Sequence, residues 1–210
     1  MKRSFRHWTL RYLANRTKEK IYHWSHPGEP WLTSLAISFL KVYLQPQDVG
    51  LEFGSGRSTI WLANRMQTLT SVEHDRDWYD QINKMIKEQQ VANIIYLYRP
   101  VETGLDAGQK PAYVRVADTF ADESLDFVLV DGRYRDQCAL AALHKLRPGG
   151  LLVLDNADLF LPNQMATPNA RSFEMGAANA GWEKFLQLTT GWRELWTTNG
   201  VFSTALFVKR

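Results

Sequence analysis

Between Leu32 and Asn156 short apolar runs alternate with helix-forming windows, and this alternation constrains the fold more than any other feature of the chain. The runs lie at Val49–Phe53, Thr68–His74, Ile94–Arg99, Leu125–Gly132 and Leu151–Asn156. Helical windows precede them at Leu32–Leu44 and separate them at about Ser58–Arg65, over "RDWYDQINKMIKEQQ" and at about Tyr134–Leu146. Strands that are apolar on both faces and joined by helices predict an α/β, doubly wound, mainly parallel sheet. Residues 100–124, with Gly104, Gly108 and Pro111, lack a period and predict an irregular insertion with a short strand near Tyr113. The rhythm changes after a helix near Gly181–Thr190, where "WRELWTT" and "TALFVKR" flank Asn199-Gly200, the signature of a tight reversal. The sheet is therefore expected to finish in an antiparallel hairpin.

In such a sheet, ligands sit beyond the carboxyl ends of the strands. Acids stand at four of those ends: Glu52, Glu73, Asp131 and Asp155. The first begins the stretch "EFGSGRST", in which Gly54 and Gly56 allow a sharp turn and a close backbone approach. Ser58 and Thr59 can cap the helix that follows. A pyrophosphate at that helix start would be repelled by Glu52, whereas a ligand with an ammonium and a sulfonium charge would be attracted. Glu73, some twenty residues on, is placed to accept hydrogen bonds from ribose hydroxyls, a need shared with NAD proteins.

The residues "LEFGSGRSTIWLA", "SVEHD..W", "DFVLVDGRYR" and "LRPGGLLVLDN" resemble the class I S-adenosylmethionine-dependent methyltransferases, over roughly Trp31 to Arg210. The resemblance implies a seven-stranded Rossmann-like sheet. It also implies that Glu52, Gly54, Ser55, Gly56 and Ser58 surround the methionine part of the cofactor, with Asp131 close by and Glu73 on the ribose. Glu102 and Asp118 are the candidates for the adenine amino group. Asp131 with Asp155-Asn156 is similar to the divalent-cation set of catechol-type O-methyltransferases, two carboxylates and an amide oxygen that suit Mg²⁺. Arg133 and Arg135 depart from that pattern, and could pair with the acids or hold an anionic substrate. In a metal-free reading Asp131 is a general base or substrate anchor. His26, before the domain, is a candidate lid residue; His74 and His144 read as lining or surface.

The expected reaction is methyl transfer to an oxygen of a small molecule or sugar. The absence of "N/D-P-P-Y/F" after the fourth strand argues against nucleobase amino-methylation. An NAD-dependent oxidoreductase is opposed by Glu52 and the terminal hairpin, and a non-catalytic nucleotide-binding module keeps the same fold without chemistry. Residues 156–179, with Pro162, Pro168, Arg171 and Phe173, lie where loops shape substrate pockets.

Charge is unevenly placed in the 210-residue chain. Net charge is +3, yet residues 1–30 hold Lys2, Arg3, Arg6, Arg11, Arg16, Lys18 and Lys20 against Glu19 and Glu29. Phe5, Trp8, Tyr12 and Leu13 fall at helical spacing among them, so residues 1–30 read as a basic amphipathic extension to a domain at 31–210. A solvated capping helix, a surface for anionic lipid or nucleic acid, and a targeting segment all fit that composition. No secretory pattern or bilayer-long apolar run is present, and the lone Cys138 rules out an internal disulfide and a cysteine zinc cage. A cytoplasmic setting is the default expectation.

Overall fold

The computed structural model describes residues 9–104, 106 and 108–210. Seven strands form one sheet in the order β3-β2-β1-β4-β5-β7-β6. They are β1 Val49–Phe53, β2 Thr68–Glu73, β3 Ile94–Tyr98, β4 Leu125–Val130, β5 Leu146–Asp155, β6 Arg193–Thr198 and β7 Ser203–Val208. The first five run parallel, and β7 is antiparallel to both β5 and β6. The strand order reverses direction between β1 and β4, which opens a crevice at their carboxyl ends.

The period-two alternation of β4 decides which helices cover which face. Val128 and Val130 join a core with Leu51, Phe53 and residues of α5 Ala112–Arg115, α6 Arg135–Ala142 and α7 Ala180–Leu188. Phe127 and Leu129 join the opposite core with α2 Ser34–Tyr43 and α3 Arg57–Ala63. The amphipathic α4 Arg76–Glu88 adds Ile82 and Ile86, packed on Ile60. The segment 100–124 departs from expectation: Tyr113 is in α5, not in a strand, and its ring is fully buried against Phe53. Glu102 accepts from the Ala112 N–H at 2.7 Å and so caps that short helix. Helix α6 also ends four residues early, because Leu146 already pairs with Leu125 as the first residue of β5.

The first helix, α1 Leu10–Ser25, rests on this body. Tyr12 and His23 are buried, Tyr22 packs against the α2–α3 core, and Asn15 lies so close to Gly200 in the β6–β7 turn that a side chain there would collide with it. Phe5 and Trp8 lie outside the described residues. Among the described residues no helix is long and apolar enough to cross a membrane.

Candidate active site

The turn from β1 to α3 is folded against the end of β4. Gly54 has φ +98°, and a Cβ there would stand 2.6 Å from the Gly132 nitrogen. Only glycine allows both the left-handed backbone and this contact. The Asp131 N–H donates to the Phe53 carbonyl at 2.8 Å, so the glycine loop and Asp131 are held side by side.

Glu52 lies beneath the loop, fully buried and lining neither of the two cavities at this edge. Alternation along β1 points it away from Phe53 toward α3, where the Thr59 and Ser71 hydroxyls donate to Oε2, each at 2.6 Å. Oε1 has no hydrogen bond of good geometry among the described residues. Burial pushes the carboxyl pKa up to about 7, with the hydroxyls of Ser58, Ser71 and Thr59 opposing and Asp131 adding to the rise. The expected direct meeting of Glu52 with a ligand is thus replaced by a role in shaping the loop.

Glu73 is also closed. Its Oε2 accepts from the Ser55 N–H and hydroxyl, both at 3.0 Å, and Oε1 accepts from the His74 and Asp75 N–H groups at 2.7 and 2.9 Å. Trp78 Nε1 donates to the Ser55 carbonyl at 2.7 Å and fixes the loop from the other side. A ribose reaching Glu73 would take the place of Ser55. Glu102 is occupied in capping α5, and Asp118 pairs at the surface with Lys110 at 3.5 Å.

Two cavities open at this edge. The first, about 540 Å³, runs from Ser55, Gly56, Arg57 and Ser58 to Trp78, Ile82 and Met85 on α4. The second, about 490 Å³, lies between α1, which contributes Arg16, Glu19, Lys20 and His23, and the strand ends with Asp155, Asn156 and Phe202. Asp131 and Trp31 line both. The His23 ring stacks on Trp31 with centroids 4.6 Å apart, and the Arg57 guanidinium stands 5.4 Å from the same ring. Burial, then the charge of Arg57, lowers the His23 pKa, so the ring stays neutral to lower pH than usual. Arg57 Nη1 is buried without a partner among the described residues.

Asp131 and Asp155 line the same cavity, close enough for each carboxyl group to affect the other's ionisation. Burial raises both pKa values, Asp155 the more strongly because Asp131 adds repulsion, so the pair retains a proton to higher pH than an isolated carboxyl group. Asp131 keeps 32% of its side chain accessible, so its remaining surface can meet a ligand. Arg135 clamps the pair from behind: it donates to Asp131 Oδ1 at 2.8 Å and to the carbonyls of Asp131, Gly132 and Asp155. Thr204 donates to Asp155 Oδ1 at 3.1 Å. Asn156 takes a left-handed turn at φ +50°, and buried Asp158, bonded by Ser203 and Thr167, ties the segment after β5 to β7.

The remaining sequence candidates lie elsewhere. His26 is exposed at the C-cap of α1 and stacks on Tyr22 at 4.4 Å, because its backbone closes the helix and faces its ring back along it. Arg133 is exposed and reaches His74 Nε2 at 3.3 Å, beside the carboxyl end of β2, and lines neither cavity. His144 is exposed beyond α6. The α1 residues that do reach the site, Arg16, Glu19, Lys20 and His23, were marked in the sequence only by their shared helical face with buried Tyr12.

A family described as a methyltransferase domain matches residues 51–157, which hold the glycine loop, the acid pair and their clamp. The chain belongs to that methyltransferase family. No curated protein is similar to this methyltransferase at a significant level. Among solved structures, a methyltransferase from Geobacter sulfurreducens superposes with a TM-score of 0.56 at 12% identity, over 93% of this chain and 89% of that one. A protein from Streptococcus mutans solved in complex with SAH gives 0.58 at 8% identity, over 87% and 99%. M. jannaschii TYW2 in complex with AdoMet gives 0.52 at 13% identity, over 86% and 77%. At these identities the superpositions establish the fold, a seven-stranded methyltransferase sheet with its antiparallel hairpin.

Proposed function

We propose that this methyltransferase takes S-adenosylmethionine in the first cavity and an oxygen acceptor in the second. The observation that carries the reading is the position of Asp131, which borders both cavities beside an acid partner. S-adenosylmethionine, when bound, supplies a methyl group on a positively charged sulfur. The cavity suits it: glycine backbone forms one wall, apolar α4 side chains form another, and the unpartnered Arg57 Nη1 matches the carboxylate of its amino-acid end.

The chain's own work is then alignment and proton removal. Trp31, stacked on His23 with the Arg57 guanidinium near its ring, borders both cavities and limits the angle at which an acceptor approaches. The Asp131 carboxylate accepts the acceptor hydroxyl's proton as the oxygen forms its new bond, while Arg135 holds it in place through Oδ1. Arg16 and Lys20 on the far wall favour an acceptor that carries an anionic group beside its hydroxyl.

The Mg²⁺ reading fits the residues less well. Asp131 Oδ1 is held by a guanidinium and Asp155 Oδ1 by a hydroxyl. A second positive charge beside Arg135 would be repelled.

Calorimetry with S-adenosylhomocysteine and NAD in parallel tests the donor, and label transfer from S-adenosylmethionine to a panel of hydroxylated acids tests the acceptor. Binding of S-adenosylhomocysteine alone, transfer that persists in EDTA, and a loss of about 100-fold or more in Asp131→Asn with unchanged donor affinity are expected. Binding of NAD alone would end the proposal, and transfer abolished by EDTA would restore the metal.

A further inference from the structure

Helix α1 is amphipathic with its faces reversed. Its polar face, with Tyr12, Glu19 and His23, turns inward onto the body and the second cavity. Its apolar stripe faces water: Leu10 is 88% exposed, Leu13 39%, Ile21 58% and Trp24 84%. Spacings of three, eight and three residues put these four side chains within one narrow arc of the helix. The stripe runs nearly the full length of a 16-residue helix, about 24 Å. Thr17 interrupts the row, with its hydroxyl turned back onto the Leu13 carbonyl. Single exposed apolar residues are ordinary, but four large ones aligned along one arc mark a surface that is covered in use.

The charges beside the stripe identify the cover. Arg11 and Lys18 flank it on one side and Lys20 on the other, all exposed. Glu19, the only acid of the helix, points inward, with 12% of its side chain accessible. The outward half of α1 therefore carries no acid: besides its apolar and positive groups it holds Thr17 and Ser25, whose hydroxyls donate back to the Leu13 and Ile21 carbonyls, and the sequence before it adds Lys2, Arg3 and Arg6. An apolar row with basic flanks is the pattern of a helix that lies in a lipid interface, with the row among the acyl chains and the cations at anionic headgroups. A nucleic acid would meet the cations and leave Leu10, Ile21 and Trp24 in water. A second copy docked by the same face would bring Arg11 and Lys18 of each chain together with no outward acid on α1 to meet them.

We infer that the outward face of α1 docks the protein on an anionic membrane surface, through Leu10, Leu13, Ile21 and Trp24 with Arg11 and Lys18 at the rim. This holds whether or not the methyl-transfer reading is right. Because the other face of the same helix walls the second cavity, docking places that cavity next to the lipid surface.

The test is sedimentation of the full chain with phosphatidylcholine vesicles, with and without about one third phosphatidylglycerol. Binding to the anionic vesicles is expected, weakened about tenfold or more by Ile21→Ser with Trp24→Ser, and similarly by Arg11→Glu with Lys18→Glu or by added salt. Tryptophan emission of the unaltered protein should also be quenched by lipids brominated in their acyl chains, a readout that needs no variant to fold. The inference is overturned if no vesicles sediment the protein at low ionic strength, or if bromine leaves the emission unchanged. It is equally overturned if the serine pair leaves binding intact, or if light scattering shows a dimer that the serine pair dissolves.

Discussion

Replacing Glu52 by glutamine gives a direct measure of what the buried acid under the glycine loop does to stability. Its carboxyl pKa moves from 4.5 to about 7, chiefly because burial penalises the charged form. Between those values the native protein binds more protons than the unfolded chain, so stability falls as pH rises through the window and levels off above it. A displacement of that size corresponds to about 3 kcal/mol. Glutamine cannot ionise. Its carbonyl oxygen can still accept from Thr59 and Ser71, while its amide nitrogen would occupy the position of the unpartnered Oε1. That leaves a buried donor without an acceptor, a fixed loss of about 1–3 kcal/mol at every pH. Glu52→Gln should thus be the less stable protein near pH 4.5 and should gain about 3 kcal/mol on wild type by about pH 8. Asp131 and Asp155 titrate in both proteins and largely cancel in the comparison. Urea unfolding followed by tryptophan emission, at steps across that range, supplies the measurement. A stability gap that does not change with pH would show that Glu52 is ionised in the fold without penalty, and the account of the loop would be wrong.

Arg57→Ala should weaken S-adenosylhomocysteine binding by about 10- to 100-fold, the worth of a charge-assisted pair. Methylthioadenosine, which lacks the carboxylate, should bind wild type and variant alike, and calorimetry that finds both ligands equally affected would place Arg57 elsewhere. Gly54→Ala should lower stability by about 2 kcal/mol or more, since its φ of +98° and its 2.6 Å approach to Gly132 leave no room for a side chain. A melting temperature equal to wild type would refute that packing. Arg135→Met should move the pH profile of methyl transfer upward, because the acid pair loses the cation that favours its charged form. An unchanged profile would mean that Arg135 acts only as a strut.

The parallel sheet, its terminal hairpin and the glycine turn could be read from the chain because each is a local pattern: apolar period, turn chemistry and the residues at strand ends. The acids Glu52, Glu73, Asp131 and Asp155 were visible for the same reason, as the topology puts every strand end at one edge. What each acid does was decided by its neighbours in space. Glu52 meets Ser71 across β2 and Thr59 from α3, which sends it beneath the loop, whereas Asp131 stands at the junction of two cavities. Arg135 reads in sequence as a partner for these acids or for an anionic substrate, and the fold spends it on the Asp131 carboxylate and on three carbonyls that no local pattern announces. The first helix is the strongest case. Its composition gave a basic amphipathic segment, but amphipathicity is a property of one helix and says nothing about which face meets the protein. Only the packing of Tyr12 and His23 onto the body settled that the polar face turns in and the apolar face turns out.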